Sequence, residues 1–257
     1  MRVWITGASS GIGRAMAQAY ARAGAELVLS ARRREALDAV RLSCPDPDRM
    51  RIVTLDQDDV DGATVAARQA LDTLGGLDVV VLNGGLSQRS LAMETAVSVD
   101  ERLMRVNYLA NVAMTKALLP ALVAQPEARI AVVSSLVGVI GSPYRSGYAA
   151  SKHALHGFFD SLRAELPEHV SITLLCPGFV RTEVSVNALT GDGSPLGTMD
   201  AAQAHGLSAD RFAEQAIAAI AARRREVYIA GPERRAIWLQ RIAPGLLARM
   251  LRRAKVR

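Results

Sequence analysis

The chain has 257 residues, 50% of them hydrophobic and 22% charged, which is typical of a protein with a buried core and excludes a disordered chain. Two cysteines and four scattered histidines are too few for a disulfide-rich secreted domain or a zinc ribbon. The formal net charge of +6 arises because residues 222–257 carry +9 while residues 1–221 carry −3, so no basic surface for nucleic acid is expected over the body.

The start of the chain does not resemble a secretory leader, because an apolar strand-like run begins at Val3. No uninterrupted apolar run reaches the roughly 18 residues of a membrane span. Together with the cysteine usage, these features favour a cytoplasmic protein.

Seven short apolar runs alternate with alanine-rich stretches of helical period. The predicted strands contain Val3–Ile5, Leu27–Leu29, Ile52–Leu55, Val79–Leu82, Ile130–Val133, Ile172–Leu175 and Val227–Ile229. The predicted helices cover 12–23, 33–43, 60–74, 101–124, 148–166 and 209–222. This alternation predicts an α/β fold, a single-domain Rossmann-type doubly wound parallel sheet of about seven strands with helices on both faces. Ligands of such folds bind beyond the carboxyl ends of the strands.

Two segments lie outside the alternation. Residues 183–207, rich in glycine and polar residues, are too long for a simple connection and are interpreted as a mobile lid within a catalytic domain of residues 1–231. Residues 232–257 form a basic amphipathic extension. We expect the extension to pack on the domain or on a neighbouring subunit, because Pro244 divides it; contact with an anionic membrane surface is the alternative.

A glycine-rich loop follows the first predicted strand and opens the first helix. Its candidate ligand-binding residues are Gly7, Ser9, Ser10, Gly11, Ile12 and Gly13. Glycines allow the backbone to approach a pyrophosphate, whose charge meets the free N–H groups at the helix N-terminus. An ordinary strand-to-helix turn is the alternative, but the position at the first junction favours a dinucleotide site.

Arginines follow the second predicted strand, where an acidic residue would bind the ribose of NAD. Arg32, and secondly Arg33, could bind a 2′-phosphate through guanidinium hydrogen bonds, which favours NADP(H) as the cofactor. Asp56, after the third strand, is a candidate partner for the adenine amino group or simply a turn residue.

Tyr148 and Lys152 are spaced i and i+4 on one predicted helix. An ammonium one turn away favours the phenolate, so the pair fits a tuned proton donor, although an isolated pair is more often a surface feature. Ser135 follows a strand and could hydrogen-bond a substrate carbonyl, with Ser134 as a backbone-capping neighbour. Asn107 lies inside a helix, where its amide needs partners.

Taken together, these residues resemble the short-chain dehydrogenase/reductase family over nearly the whole chain. The matching positions are Thr6–Gly13, Asp56, Asn83-Gly84-Gly85, Asn107, Ser135, Tyr148–Lys152, Pro177-Gly178 and Thr182. The resemblance implies a catalytic tetrad of Asn107, Ser135, Tyr148 and Lys152, with Ser135, Val137 and Tyr148 contacting substrate. It implies cofactor contacts from Gln57, Asn83, Gly84, Tyr148, Lys152, Pro177, Gly178, Val180 and Thr182. One motif departs from the family pattern: Asn-Asn-Ala-Gly is replaced here by Leu82-Asn83-Gly84-Gly85.

Within the family the chain is most similar to the dehydrogenase/reductase member 7 group, through 83–91, 151–155 and 185–194. That similarity implies a lipophilic small-molecule substrate, and the helix carrying Tyr148 is commonly a subunit interface in the family, so a homodimer or homotetramer is expected. The histidines share no metal-ligand spacing, and no metal is expected.

The function that these residues predict is an NADP(H)-dependent oxidoreductase interconverting a ketone or aldehyde and an alcohol, with a Ser-Tyr-Lys mechanism. The alternative is a nucleotide-sensing or membrane-associated interaction protein that keeps the fold and does little chemistry.

Overall fold

The computed structural model describes residues 1–253 and is built around one parallel β-sheet. The strands, in chain order, are β1 (Arg2–Thr6), β2 (Glu26–Ser30), β3 (Met50–Ile52), β4 (Val79–Leu82), β5 (Ala128–Val133), β6 (Val170–Pro177), β7 (Val180–Arg181), β8 (Leu207–Ser208) and β9 (Glu226–Ile229). Seven of them form the sheet in the order β3-β2-β1-β4-β5-β6-β9, and every neighbouring pair is parallel. The predicted doubly wound fold is confirmed.

Helices cover both faces of this sheet. They are α1 (Gly11–Arg22), α2 (Arg34–Leu42), α3 (Val60–Leu74), α4 (Val97–Met104), α5 (Ala110–Ala124), α6 (Ser146–Glu165), α7 (Ala201–Ala204), α8 (Ala209–Ala221), α9 (Arg235–Ile242) and α10 (Pro244–Arg253). A π-helical turn, Arg105–Leu109, joins α4 to α5.

Strand residues alternate between two apolar cores, one on each face. Val3 and Ile5 of β1 belong to the core that also contains residues of α1, α2 and α8. Trp4, between them, belongs to the core with residues of α3, α5 and α6. Burial on both faces explains why the strands read as continuous apolar runs in the sequence.

The third strand begins and ends earlier than predicted. The apolar run suggested Ile52–Leu55, whereas regular pairing covers Met50–Ile52. The N–H groups of Val53 and Leu55 still donate to the carbonyls of Leu29 and Ala31, so these two residues continue along β2 as irregular backbone with buried side chains.

The joined helix Val97–Ala124 is, among the described residues, the one helix long and apolar enough to cross a membrane by length and composition. The sequence contains no uninterrupted apolar run of that length here, because polar residues interrupt this helix. Its Met114, Leu118 and Leu122 are fully buried in the core over the sheet, as in a core helix of a globular domain.

The segment 183–207 is attached to the body by several contacts. The N–H of Leu189 donates to the carbonyl of Ser87, and the N–H of Arg89 donates to the carbonyl of Leu189. Farther along, α7 and β8 return the chain to β7. The segment therefore forms a wall beside the carboxyl edge of the sheet.

The C-terminal helices α9 and α10 contact the body through one side. Ile237 and Leu247 are buried in a small apolar cluster with Leu136, Ile140 and Cys176, which follow or end the central strands. Of the predicted extension 232–257, residues 254–257 lie outside the described part of the chain.

Candidate active site

A cleft of about 1010 Å³ runs along the carboxyl edge of the sheet, where the strand order reverses beside β1. The predicted site residues in its lining are Gly7, Ser9, Ser10, Gly11, Ile12, Arg32, Arg33, Asp56, Gln57, Asn83, Gly84, Ser135, Val137, Tyr148, Lys152, Pro177, Gly178, Val180 and Thr182. Gly13 and Asn107 support the cleft from outside this lining. The sheet thus brings together residues that are far apart in the chain.

The glycine loop between β1 and α1 is shaped by close backbone contacts. Gly7 has a φ of 63°, and a Cβ there would lie 2.7 Å from the Cα of Gly84. A Cβ on Gly13 would overlap the carbonyl oxygen of Gly7. Only glycine therefore lets the loop turn back onto the helix N-terminus and keep the N–H groups of that end facing the cleft.

Asn83 fixes this loop from the neighbouring strand. Its side-chain nitrogen donates to the carbonyls of Thr6 (3.0 Å) and Gly7 (3.2 Å). The N–H groups of Asn83 and Gly84 both donate to Thr6 Oγ1, at 2.9 and 3.1 Å. The departure at Gly84 from the family motif therefore leaves the support of the glycine loop in place.

The amide of Gln57 fills the space where Gly84 lacks a side chain. Its nitrogen donates to the carbonyls of Gly84 and Val106, at 3.3 and 3.1 Å. Asp56, beside it, is exposed, and its carboxylate accepts from the N–H of Asp58 at 3.0 Å. Gln57 thus supports the wall of the cleft. Asp56 makes a turn contact, which is one of the two roles predicted for it from the sequence.

Arg32 and Arg33 are exposed at the end of β2 and line the cleft on the side of the glycine loop. Arg34 is the first residue of α2 and lies 3.9 Å from Asp38 on the same helix. Arg32 and Arg33 form no ion pair within residues 1–253, so both can meet an anion in the cleft.

At the other end of the cleft, the Tyr148 phenol lies beside the Ser135 hydroxyl. The phenol oxygen lies at the buried end of a partly exposed tyrosine. Burial raises the pKa of Tyr148, while the neighbouring Ser135 hydroxyl and the charges of Arg145 and Arg89 act to lower it. The tyrosine is protonated at neutral pH and can donate a proton.

Lys152 lies one helical turn beyond Tyr148, with its Nζ 5.9 Å from the centre of the tyrosine ring. The ammonium donates to the carbonyl of Val133 at 2.9 Å. Burial lowers the pKa of Lys152 to about 8, so the side chain exchanges its proton near neutral pH. The sequence spacing predicts that Lys152 favours the phenolate; in the structure the positive charges that lower the pKa of Tyr148 are those of Arg145 and Arg89.

Asn107 lies in the π-helical turn, where a helix has one extra residue. Its side-chain nitrogen donates to the carbonyl of Leu86 and to Ser151 Oγ, both at 2.9 Å, and its oxygen accepts from the N–H of Leu86 at 2.8 Å. The amide thus joins the segment after β4 to α6, the helix of Tyr148 and Lys152. These contacts supply the partners that a buried asparagine needs.

The glycine loop meets the segment after β6 at Thr182. A Cβ on Gly11 would lie 3.0 Å from Thr182 Cγ2. Val180 is buried in the core, and the N–H of Gly178 donates to Ile229 on the last strand. Pro177, Gly178, Val180 and Thr182 all line the cleft, so this segment forms part of its wall.

Sequence reasoning missed a second group of polar residues at this end of the cleft. The buried Gln88 accepts from the N–H groups of Gly147 and Tyr148, at 2.9 and 3.2 Å, and so caps the start of α6. Arg89 and Arg145 both approach Asp200. No short-range motif connects these residues. The only signal in the sequence is that Gln88 and Arg89 lie in the stretch 83–91, which is similar to the member 7 group.

The structure also gathers His156, Cys176 and Glu226, which have no common spacing in the sequence. His156 Nε2 lies 2.8 Å from Ser134 Oγ, and Cys176 Sγ lies 3.7 Å from the Glu226 carboxylate. Burial lowers the pKa of His156 and raises that of the Cys176 thiol. Ser134 and Ser135 both line the cleft, but Ser134 is engaged with the histidine.

The profile of the short chain dehydrogenase family matches residues 1–192. A dehydrogenase/reductase SDR family protein 7-like of Anopheles gambiae is 43% identical over 95% of this chain and 80% of its own. Dehydrogenase/reductase SDR family member 7B of Bos taurus is 40% identical over 97% of this chain and 79% of its own.

Two solved structures are similar in fold. A short chain dehydrogenase/reductase from Burkholderia phymatum in complex with NAD has a TM-score of 0.83 at 24% identity, covering 95% of this chain and 94% of its own. An alcohol dehydrogenase from the archaeon Thermococcus sibiricus, complexed with 5-hydroxy-NADP, has a TM-score of 0.75 at 26% identity, covering 90% and 96%.

Proposed function

The chain belongs to the short-chain dehydrogenase/reductase family of oxidoreductases, and from this premise we propose that it is an NADP(H)-dependent enzyme interconverting a lipophilic ketone or aldehyde and its alcohol. One observation carries the proposal. A single cleft holds the glycine loop and Arg32 at one end and Ser135, Tyr148 and Lys152 at the other.

The residues present fit a dinucleotide with a 2′-phosphate. The bare backbone at Gly7 and Gly13 leaves the N-terminus of α1 open to a pyrophosphate. Arg32 and Arg33 would bind the 2′-phosphate, since an acidic residue in their place would repel it. The remaining contacts would come from Ser9, Ser10, Gly11, Ile12, Asp56, Asn83, Pro177, Gly178, Val180 and Thr182. When bound, NADPH supplies the hydride for the carbonyl carbon.

The chain's own residues orient the substrate and manage the proton. The Ser135 hydroxyl would donate to the carbonyl oxygen, and the Tyr148 phenol would give its proton to the same oxygen as negative charge develops there. Lys152, at the buried end of the cleft, then holds the proton that returns to the tyrosine. Asn107 fixes α6 to the segment after β4 and so keeps Tyr148 and Lys152, which α6 carries, in position relative to the substrate.

The apolar lining supports a lipophilic substrate. Beyond Ser135 the cleft is bounded by Leu136, Val137 and Ile140, and by Leu251 from α10. Apolar walls with a few directed polar groups are typical of sites for small organic ligands. Oxidation of NADPH that depends on an added lipophilic ketone tests the proposal, and binding of NADPH without oxidation by any ketone or aldehyde would contradict it.

The ionisation of Lys152 predicts a pH dependence for reduction. Burial holds the pKa of Lys152 at about 8, below its ordinary value, so the ammonium loses its proton as the pH rises through that point. We expect kcat/KM, which reflects the free enzyme, to be constant below about pH 7 and to fall about tenfold per pH unit above pH 8. Lys116→Met, a change at an exposed lysine of α5, should leave the profile unchanged. A flat wild-type profile through the alkaline range would contradict the role of Lys152.

A second candidate function, binding to an anionic membrane surface, is favoured by the outer side of α9 and α10. Trp238, Ile242, Leu246 and Met250 are 52–80% exposed and follow one another at intervals of four. Arginines surround them: among the side chains that the structure describes here, the exposed basic residues are Arg234, Arg235, Arg241, Arg249 and Arg252. Apolar side chains flanked by cations are typical of helices that lie on anionic lipid.

Sedimentation with vesicles tests this surface. We expect the wild type to bind vesicles containing phosphatidylserine and to bind pure phosphatidylcholine weakly, because the arginines need anionic lipid. Replacing Trp238 and Ile242 by serine should weaken binding at least about tenfold, since each loses burial of a large apolar side chain. Serine at Met93 and Val97, which are also exposed, is the matched control. Equal binding of both double variants would exclude α9 as the contact.

A further inference from the structure

Two arginines share one carboxylate at the substrate end of the cleft. Arg89 Nε and Nη2 lie 2.8 and 2.7 Å from Asp200 Oδ2. Arg145 Nη2 lies 3.6 Å from the same oxygen. All three side chains are at most 10% exposed. Two buried cations and one buried anion leave a net charge of +1 in this cluster, which we call the arginine cluster.

The two guanidinium groups are satisfied to different degrees. Arg89 is fully engaged, because its Nη1 also donates to Ser87 Oγ and to the carbonyl of Gln88, both at 2.7 Å. The Nε of Arg145 is buried and has no hydrogen-bond partner among the described residues. Since buried charged groups are normally paired and hydrogen-bonded, Arg145 is the member of the cluster with unused binding capacity.

Apart from Asp200, the groups that the structure describes around Arg145 do not offset its charge. Its guanidinium lies 5.7 Å from the centre of the Phe179 ring. Burial and the neighbouring Arg89 lower the pKa of Arg145 to about 10, while Asp200 acts in the opposite direction. The side chain is therefore still a cation at neutral pH, in a position where an additional anion would be favourable.

The arginine cluster faces the same space as the proposed catalytic residues. Arg89, Arg145 and Asp200 line the cleft together with Ser135 and Tyr148. Arg145 is the residue from which α6 starts, three positions before Tyr148. A ligand whose carbonyl reaches Ser135 and Tyr148 can thus place another group against Arg145.

We propose that Arg145 binds a carboxylate of the substrate, so that the enzyme's substrate class is lipophilic oxo acids and the corresponding hydroxy acids. The inference rests on the proposed function and names the substrate of that same site. The planar guanidinium offers paired donors that match a carboxylate, and one negative charge balances the net charge of the cluster. The apolar walls formed by Val137 and Ile140 would contact the hydrocarbon part.

A matched pair of substrates tests the proposal. A medium-chain oxo fatty acid and its methyl ester differ in charge while sharing the reacting carbonyl and the chain. With NADPH, we expect the wild type to prefer the acid by about ten- to a hundredfold in kcat/KM, the range typical of a hydrogen bond to a charged group. Arg145→Met should remove the preference by slowing the acid much more than the ester, and Arg145→Lys should retain part of the preference. Arg181→Met, at an exposed arginine of β7, is the control.

Three outcomes would overturn the proposal. The wild type could use acid and ester equally. Arg145→Met could slow both substrates by the same factor, which would assign Arg145 to holding Asp200 or to the electrostatics of Tyr148. Arg145→Lys could behave as the methionine variant while both variants melt at lower temperature, which would indicate a role in folding only.

Calorimetry separates failure of this inference from failure of the proposed function. The medium-chain fatty acid without an oxo group cannot be reduced, so its binding does not depend on turnover. Tighter binding of this acid than of its methyl ester, lost in Arg145→Met, would support the anion site even if neither oxo compound were reduced. Equal binding of acid and ester would overturn the anion site even if the ester were a good substrate.

Discussion

Replacing Tyr148 by phenylalanine should reduce ketone reduction by about 100- to 10,000-fold, the range that a positioned proton donor contributes. Phenylalanine keeps the ring and removes the hydroxyl that lies beside Ser135. The glycine loop and Arg32 lie at the other end of the cleft, so the dissociation constant for NADPH should stay within about threefold of wild type. Steady-state rates and a fluorescence titration of NADPH measure the two quantities separately.

Tyr108→Phe is the matched control for this change. Tyr108 packs edge-on against Phe158 at 6.3 Å between ring centres and is not part of the cleft lining. Loss of its hydroxyl should leave the rate unchanged. A Tyr148→Phe variant that turns over at the wild-type rate would remove Tyr148 from the mechanism.

Replacing Arg32 by alanine should weaken NADPH binding by about ten- to a hundredfold and leave NADH binding nearly unchanged. A hydrogen bond to a charged group such as the 2′-phosphate contributes about 1.5–3 kcal/mol to the free energy of binding. NADH lacks this phosphate, so it does not lose the contribution. Arg33 lines the same part of the cleft and should show a smaller effect in the same direction.

Arg34→Ala provides the control within the same run of arginines. Arg34 lies near Asp38 along α2, and it is not part of the cleft lining. Both cofactors should bind this variant as they bind the wild type. If Arg32→Ala weakens NADPH and NADH equally, Arg32 does not distinguish the phosphate, and the preference for NADP(H) loses its basis.

The fold could be predicted from the sequence because each central strand is buried on both faces. Runs such as Val79–Leu82 therefore contain no polar residue, and the helices between them keep a regular apolar period. The prediction was least accurate at Val53 and Leu55. There, apolar residues stay buried along β2 after regular pairing has ended, and composition does not distinguish the two states.

Cleft residues could be predicted from the sequence where their structural role depends only on residues close together in the chain. At Gly7 and Gly13 the requirement is the absence of a side chain, which can be read from a single position. Tyr148 and Lys152 are one helical turn apart, so their proximity follows from helix geometry alone. What these positions do in catalysis remains a prediction until the variants are measured.

The arginine cluster could not have been predicted in the same way. Arg89 and Asp200 are 111 positions apart, and both lie in irregular segments whose path depends on the tertiary fold. The capping of α6 by Gln88 similarly joins positions separated by 59 residues. Local propensity carries no information on such pairs, although they define the shape and charge of the substrate end of the cleft.

Transfer of a labelled hydride tests the central claim most directly. NADPH with deuterium at both positions of nicotinamide C4 is incubated with the enzyme and a lipophilic ketone, and the alcohol is analysed by mass spectrometry. The account predicts one deuterium at the carbinol carbon in the wild type and almost no labelled alcohol with Tyr148→Phe. Consumption of the ketone to an unlabelled alcohol, or equal labelling by both proteins, would contradict it.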